Sequence, residues 1–147
     1  MASASKSPDS NVDDEFALWN YEERLATFAK HSWPFTVDCT CTPENMAKAG
    51  FFHIPSAMEP DLVRCFVCQK ELDGWDPDDD PWSEHKSHSA KCPFLLLSKD
   101  IGKLTVKDFL ALELKRQVAR AEFFCKQELA QLKKEADVCR KELDKLT

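Results

Sequence analysis

Apolar positions fall into three regimes along the 147-residue chain. Residues 1–14 hold Ser, Asp, Asn and Pro with almost nothing to bury, too little to offset the entropy of ordering, and a disordered tail is expected there. From Phe16 onward, Phe16, Leu18, Trp19, Leu25, Phe28, Trp33 and Phe35 supply large side chains for a core. Thr42 as a cap, Pro43 at the first helical position and Gly50 just past the end predict a short helix. Residues 51–54 and 62–68 read as short strands separated by turns at Pro55 and Pro60. The third regime begins at Thr105, which forms a capping box with Asp108, and no Pro or Gly follows as far as Thr147. One long helix of roughly 60 Å is predicted, about twice the width of a domain of ~100 residues.

That helix carries Leu114, Val118, Ala121, Cys125, Leu129, Leu132, Ala136, Cys139, Leu143 and Leu146 in steps of 4-3-4-4-3-4-3-4-3. The pattern is a coiled-coil stripe with a single stutter. Length prevents it from folding back on its own domain beyond the first few turns, so a partner bundle is the expected cover. From Lys103 to Thr147 there are 11 Lys and Arg against 8 Asp and Glu, which leaves 9 against 18 for the rest. A mildly basic helix therefore leaves a strongly acidic domain.

The formal net charge of -6 argues against direct, sequence-independent nucleic-acid binding, which depends on Lys and Arg neutralising phosphates. No apolar run approaches the roughly 20 residues that span a bilayer, and the first residues lack the apolar core of a secretory signal. A cytosolic or nuclear protein that binds no membrane is expected. In such a compartment disulfides are disfavoured, and seven cysteines cannot all pair, which turns attention to metal. Only Gly50, Gly74 and Gly102 occur, with no Gly-rich phosphate loop.

Cys65-x2-Cys68-x16-His85-x6-Cys92 provides four soft or borderline ligands, the set a tetrahedral zinc ion takes. With every position filled by protein, one structural ion is expected and no place remains for a reactive water, so no enzyme is expected. Buried thiols beside a surface histidine are the plainer alternative. Cys39 and Cys41 are rival ligands in principle, but small buried hydrophobes fit them better. Close to the ligands, Leu72 and Trp75 stand among Asp73, Asp76, Asp78, Asp79 and Asp80. Two readings stay open: an acidic pocket for a free ammonium on a small N-terminal residue, or a solvated turn capping a helix near Pro81. Thr42-Pro43 also offers a proline-directed phosphorylation step, although the first job of Thr42 is the helix cap.

The zinc ligand spacing, with Arg24-x-x-Thr27-Phe28, Ala49-Gly50-Phe51, Gly74-Trp75 and Asp78-Asp79-Asp80-Pro81-Trp82-x-Glu84-His85, resembles the baculovirus inhibitor-of-apoptosis repeat, or BIR, family over residues 16–98. A single such domain followed directly by a long helix, with no RING cysteine set, resembles the chromosomal passenger branch of that family. Two features differ from its vertebrate pattern, a longer acidic N-terminal tail and a two-residue insertion before Trp33, and both bear on dimer contacts.

The resemblance implies an α+β fold: a small zinc-binding BIR domain, with a three-stranded antiparallel sheet and short helices, followed by one long C-terminal α-helix. The implied organisation is a tail (1–14), the domain (15–98), a linker with a dimer patch (99–104) and the helix (105–147). It further implies a peptide groove in which Lys70 and His88 hold a phosphothreonine of a histone tail, Asp73 and Asp79 hold its terminal ammonium, Leu72 and Trp75 line an alanine pocket, and Glu59 meets a basic residue further along. Ile101, Val106 and Phe109 match a homodimer patch used when the protein is free, and Thr42 a phosphorylated threonine. The implied partners are borealin and the inner centromere protein, bound through the helix stripe, and through them Aurora B kinase. The implied locations are nucleus and cytoplasm, and in mitosis the centromere or kinetochore, the spindle midzone and the midbody. Sequestration of Ala-initiated pro-apoptotic peptides, or restraint of caspases, is the other function the family suggests.

Overall fold

A computed structural model describes residues 16–146, so the tail expected over 1–14 lies outside the described residues. The order is α1 (Tyr21–Lys30), α2 (Pro43–Lys48), β1 (Phe51–His53), β2 (Val63–Cys65), β3 (Glu71–Leu72), α3 (Pro81–His88), a 3-10 turn (Ile101–Lys103) and α4 (Val106–Asp144). The three strands form one antiparallel sheet in the order β1-β2-β3, with Phe51 opposite Cys65 and Val63 opposite Leu72. This is the α+β architecture expected.

Local chemistry starts each helix. The Asn20 side chain caps α1, Thr42 caps α2 ahead of Pro43, and Asp80 caps α3 ahead of Pro81. Thr105 and Asp108 form the reciprocal capping box of α4. α2 ends where Gly50 adopts φ +90°, and a Cβ there would stand 2.8 Å from the Phe94 ring. Both the backbone and the close approach require glycine at that position.

Trp19, Phe28, Trp33, Met46, Phe51, Val63, Phe66, Val67, Trp75 and Phe94 share one core between the helices and the sheet. Within it sits Arg24, buried, whose guanidinium donates to the carbonyls of Leu18, Trp19 and Ala47 and lies 4.5 Å over the Phe66 ring. Burial pulls its pKa down to about 10, which leaves it charged at neutral pH, with these three carbonyls as its acceptors.

Three expectations need correction. Phe16 is 53% exposed and only edges the Phe109 ring, so it is not a core residue. The strand expected over 62–68 stops at Cys65, because the C-x-x-C turn folds back until Gln69, at φ +61°, hands the chain to β3. The long helix ends at Asp144 and not at Thr147, and residues 145–146 form a turn.

α4 docks on the domain by its N-terminal half. Leu112 and Arg116 are buried; Glu113 accepts from the Trp19 indole (2.8 Å) and from Arg116 (2.8 Å), joining helix and domain in one network. Further along, Arg64 lies 4.5 Å over the Phe123 ring, and from Phe124 to Leu146 every residue is exposed. No helix among the described residues is long and apolar enough to cross a membrane.

Candidate metal centre and peptide groove

The ligand atoms of Cys65, Cys68, His85 and Cys92 all lie within 4.8 Å of one another. Cys65 ends β2, Cys68 closes the turn after it, His85 projects from the middle of α3, and Cys92 follows that helix. Tetrahedral zinc with Zn–S near 2.3 Å and Zn–N near 2.05 Å sets S···S at about 3.8 Å and S···N at about 3.6 Å. Cys65 and Cys92 are 3.9 Å apart, and Cys68 Sγ is 3.5 Å from His85 Nε2. The four residues fit the ion.

Surrounding groups orient these ligands. His85 Nδ1 donates to the Ala49 carbonyl at 2.8 Å, which leaves the Nε2 lone pair turned to the sulfurs. The Val67 amide donates to Cys65 Sγ and the Ser89 hydroxyl to Cys68 Sγ, both at 3.4 Å. Hydrogen bonds from Cys65 and Cys92 pull the Cys68 thiol far below the usual thiol range. Burial works against a charged His85, yet hydrogen bonds with Cys68 and Cys92 raise it to about 9, so a metal bound at Nε2 would displace a proton there. Burial pushes the Cys65 thiol well above the usual thiol range, so a divalent cation bound here would release a proton from it.

Cys41 is not a rival ligand. It is fully buried, its thiol donates to the Asp76 carbonyl at 3.4 Å, and burial, with Cys39 beside it, pushes its pKa up to about 11. It acts as a protonated core residue, and half-buried Cys39 packs beside the same core. Cys125 and Cys139 are exposed on α4.

Next to the metal centre a cavity of about 130 Å³ is lined by Leu72, Asp73, Gly74, Trp75, Asp79, Glu84 and His88. Five of the seven groove residues named from the sequence meet there; Lys70 and Glu59 are exposed and stand outside its wall. Asp61 accepts the Trp75 amide at 2.8 Å and Asp79 accepts the Asp76 amide at 2.8 Å, which fixes the loop. The Trp75 indole N–H is buried with no hydrogen-bond partner. Asp80 caps α3, so the acidic turn does serve a helix, while Asp73 and Asp79 face the cavity.

Asp61 escaped the sequence reading, and Glu84 was named there as part of a motif but not as a cavity residue. Glu84 sits one helical turn before His88 and pairs with it at 3.5 Å; the i,i+4 spacing after Pro81 was the available signal. Nothing local marked Asp61, which acts across 14 residues.

Thr42 is the cap of α2 and half-buried. In the patch, Val106 is 76% exposed, Ile101 packs partly on the core, and Phe109 lies against Trp19 with ring centres 4.7 Å apart. Of the helix stripe, Leu114, Val118, Ala121, Leu129, Leu132, Ala136, Leu143 and Leu146 are exposed, as are its two cysteines.

Residues 24–96 match the model of the BIR, or Inhibitor of Apoptosis, domain. The chain is 48% identical over 135 residues to Baculoviral IAP repeat-containing protein 5.2 of Xenopus tropicalis, an alignment covering 92% of this chain and 85% of that protein. It is 60% identical over 99 residues to protein 5.1 of the same frog, covering 67% of this chain but only about three-fifths (61%) of that relative's length. The mouse Baculoviral IAP repeat-containing protein 5 is 54% identical over 99 residues, covering 67% of this chain and 68% of its own.

Proposed function

Since the chain belongs to the BIR-domain inhibitor-of-apoptosis family, in the survivin branch of Baculoviral IAP repeat-containing protein 5, we propose that it is a non-enzymatic targeting subunit that reads a phosphothreonine histone tail and assembles with helical partners. Borealin and the inner centromere protein are those partners, and the assembly places Aurora B kinase at centromeres, and later at the spindle midzone and midbody. Between divisions the protein resides in nucleus and cytoplasm. Thr42 phosphorylation, meeting the positive end of α2, is a regulatory input from a mitotic kinase.

The observation that carries this reading is the small acidic cavity beside a closed metal centre. About 130 Å³ admits a methyl side chain, Leu72 and Trp75 give it an apolar wall, and Asp73, Asp79 and Glu84 supply acceptors for an ammonium. His88 at the rim offers a ring N–H, and Lys70 just before β3 an ammonium, to a phosphate further along the peptide. Glu59 lies exposed for a basic residue beyond it. A zinc ion at this centre would tie α3, which gives Glu84 and His88 to the cavity, to β2, whose neighbour β3 gives Leu72, and in this reading it serves the scaffold alone.

Calorimetry with three Ala-initiated tail peptides tests the reading: phosphothreonine, unmodified and N-acetylated. The phosphorylated free-amine peptide should bind tightest. Equal affinity for all three would remove the groove assignment. Equal affinity for the phosphorylated and unmodified peptides, with loss on acetylation, would favour the second reading, sequestration of Ala-initiated pro-apoptotic peptides, which the ammonium site also suits.

A further inference from the structure

Beyond Phe123, α4 leaves its own domain and its apolar stripe is uncovered within the chain. Heptad lettering of this distal half puts Leu129, Ala136 and Leu143 at a and Cys125, Leu132 and Cys139 at d. The flanks then separate by sign. Glu128, Glu135 and Glu142 occupy three successive g positions, and Lys126, Lys133 and Arg140 three successive e positions.

In a parallel pair of helices a g residue meets the e residue of the next heptad on the other chain. Glu128 then faces Lys133 and Glu135 faces Arg140, each contact made twice by symmetry. Antiparallel pairing instead brings g against g and e against e, setting glutamate on glutamate and lysine on lysine. One sequence thus carries both halves of an attractive parallel seam. Local contacts do not tie these charges down: Glu135 accepts from Gln131, Arg140 donates to Asp137 and Glu142 accepts from Lys145, all on the exposed surface.

We propose that the distal half of α4 pairs in parallel with a second copy of this chain, with Glu128, Glu135, Lys133 and Arg140 setting direction and register. The surface is separate from the patch of Ile101, Val106 and Phe109. It does not depend on the histone-tail reading, since it needs only the helix's own residues. Ala136, Cys125 and Cys139 are small, so the seam buries little area and is weak enough for larger partner helices to displace. Self-pairing covers the stripe until they arrive.

Sedimentation equilibrium of the full zinc-loaded chain tests this, using wild type, the triple variant E128K/E135K/E142K and the triple variant K126E/K133E/R140E. Wild type should self-associate, each variant alone should do so at least about tenfold more weakly, and an equimolar mixture of the two should pair again. Sodium chloride should weaken the wild-type pair. The proposal is overturned if wild type stays monomeric up to about 1 mM, if the variants associate as wild type does, if the mixture fails to recover, or if salt tightens the pair. Circular dichroism of each variant separates lost pairing from lost helix, and recovery in the mixture holds under either.

Discussion

Two glycines with left-handed backbones make different demands on their surroundings. Gly50 has φ +90° and no room, its missing Cβ lying 2.8 Å from Phe94, whereas Gly74 has φ +72° with nothing within 4 Å. Gly50→Ala should cost about 2–4 kcal/mol and Gly74→Ala about 1–2, since only the first adds a clash to the conformational strain. Urea unfolding of the two variants checks the difference; equal losses would place the whole cost in the backbone.

His53 is a second isolated case. Its Nε2 meets the Pro60 carbonyl at 2.8 Å, its Nδ1 is buried without a partner, and Phe28 stacks on the ring while His31 lies edge-on at 6.0 Å. Burial lowers its pKa below 6.5. The unfolded chain therefore binds the proton more readily, so stability is greatest above pH 6.5 and falls as pH drops through the folded value. His53→Gln should flatten that part of the stability–pH curve of the zinc-loaded protein. An unchanged slope would assign the acid sensitivity to the metal ligands alone.

Among the elements, α4 is attached to the domain through its N-terminal half, while its residues from Phe124 onward are exposed. Glu113 stands between the Trp19 indole and Arg116, and although burial works against its charge, hydrogen bonds from Arg116, Gln117 and Trp19 hold its pKa below the usual carboxylate value. Arg116 is only 2% exposed, so Glu113→Gln removes a charge-assisted hydrogen bond from a buried cation. A loss of about 2 kcal/mol is expected, with faster amide exchange in the first turns of α4. Asp137→Asn, which breaks the exposed pair with Arg140, should stay within about 0.5 kcal/mol. If the two variants proved alike, α4 would not be anchored through this network.

For the whole molecule, metal and fold are one equilibrium. β2, the turn after it, α3 and the segment beyond each contribute a ligand, so the ion would join four separate parts of the chain at one point. Structural zinc supplies on the order of 10–16 kcal/mol in small modules, against about 5–15 for the entire stability of a typical domain. A strong chelator should abolish near-ultraviolet dichroism and tryptophan burial, zinc should restore both at one ion per chain, and Cys68→Ser should reproduce the apo behaviour. A sheet that survived chelation would mean that the apolar core suffices alone.

Much of this was legible in the chain itself because it rests on short-range chemistry. Caps at Thr42 and Thr105, the proline at 43, the glycine at 50, the C-x-x-C turn with its two distant ligands and the heptad stripe are all written in neighbouring residues or in fixed spacings. The sequence did not reveal that Phe16 lies outside the core, that β2 ends at its cysteine, that Asp61 reaches across to Trp75, or that Arg116 is buried against Glu113 and Trp19. These are decided by which surfaces meet in space. Periodicity and spacing act through covalent geometry and are fixed before folding, whereas the burial of a charge or the lining of a cavity depends on partners 14 or 94 residues away, which only the folded chain brings together.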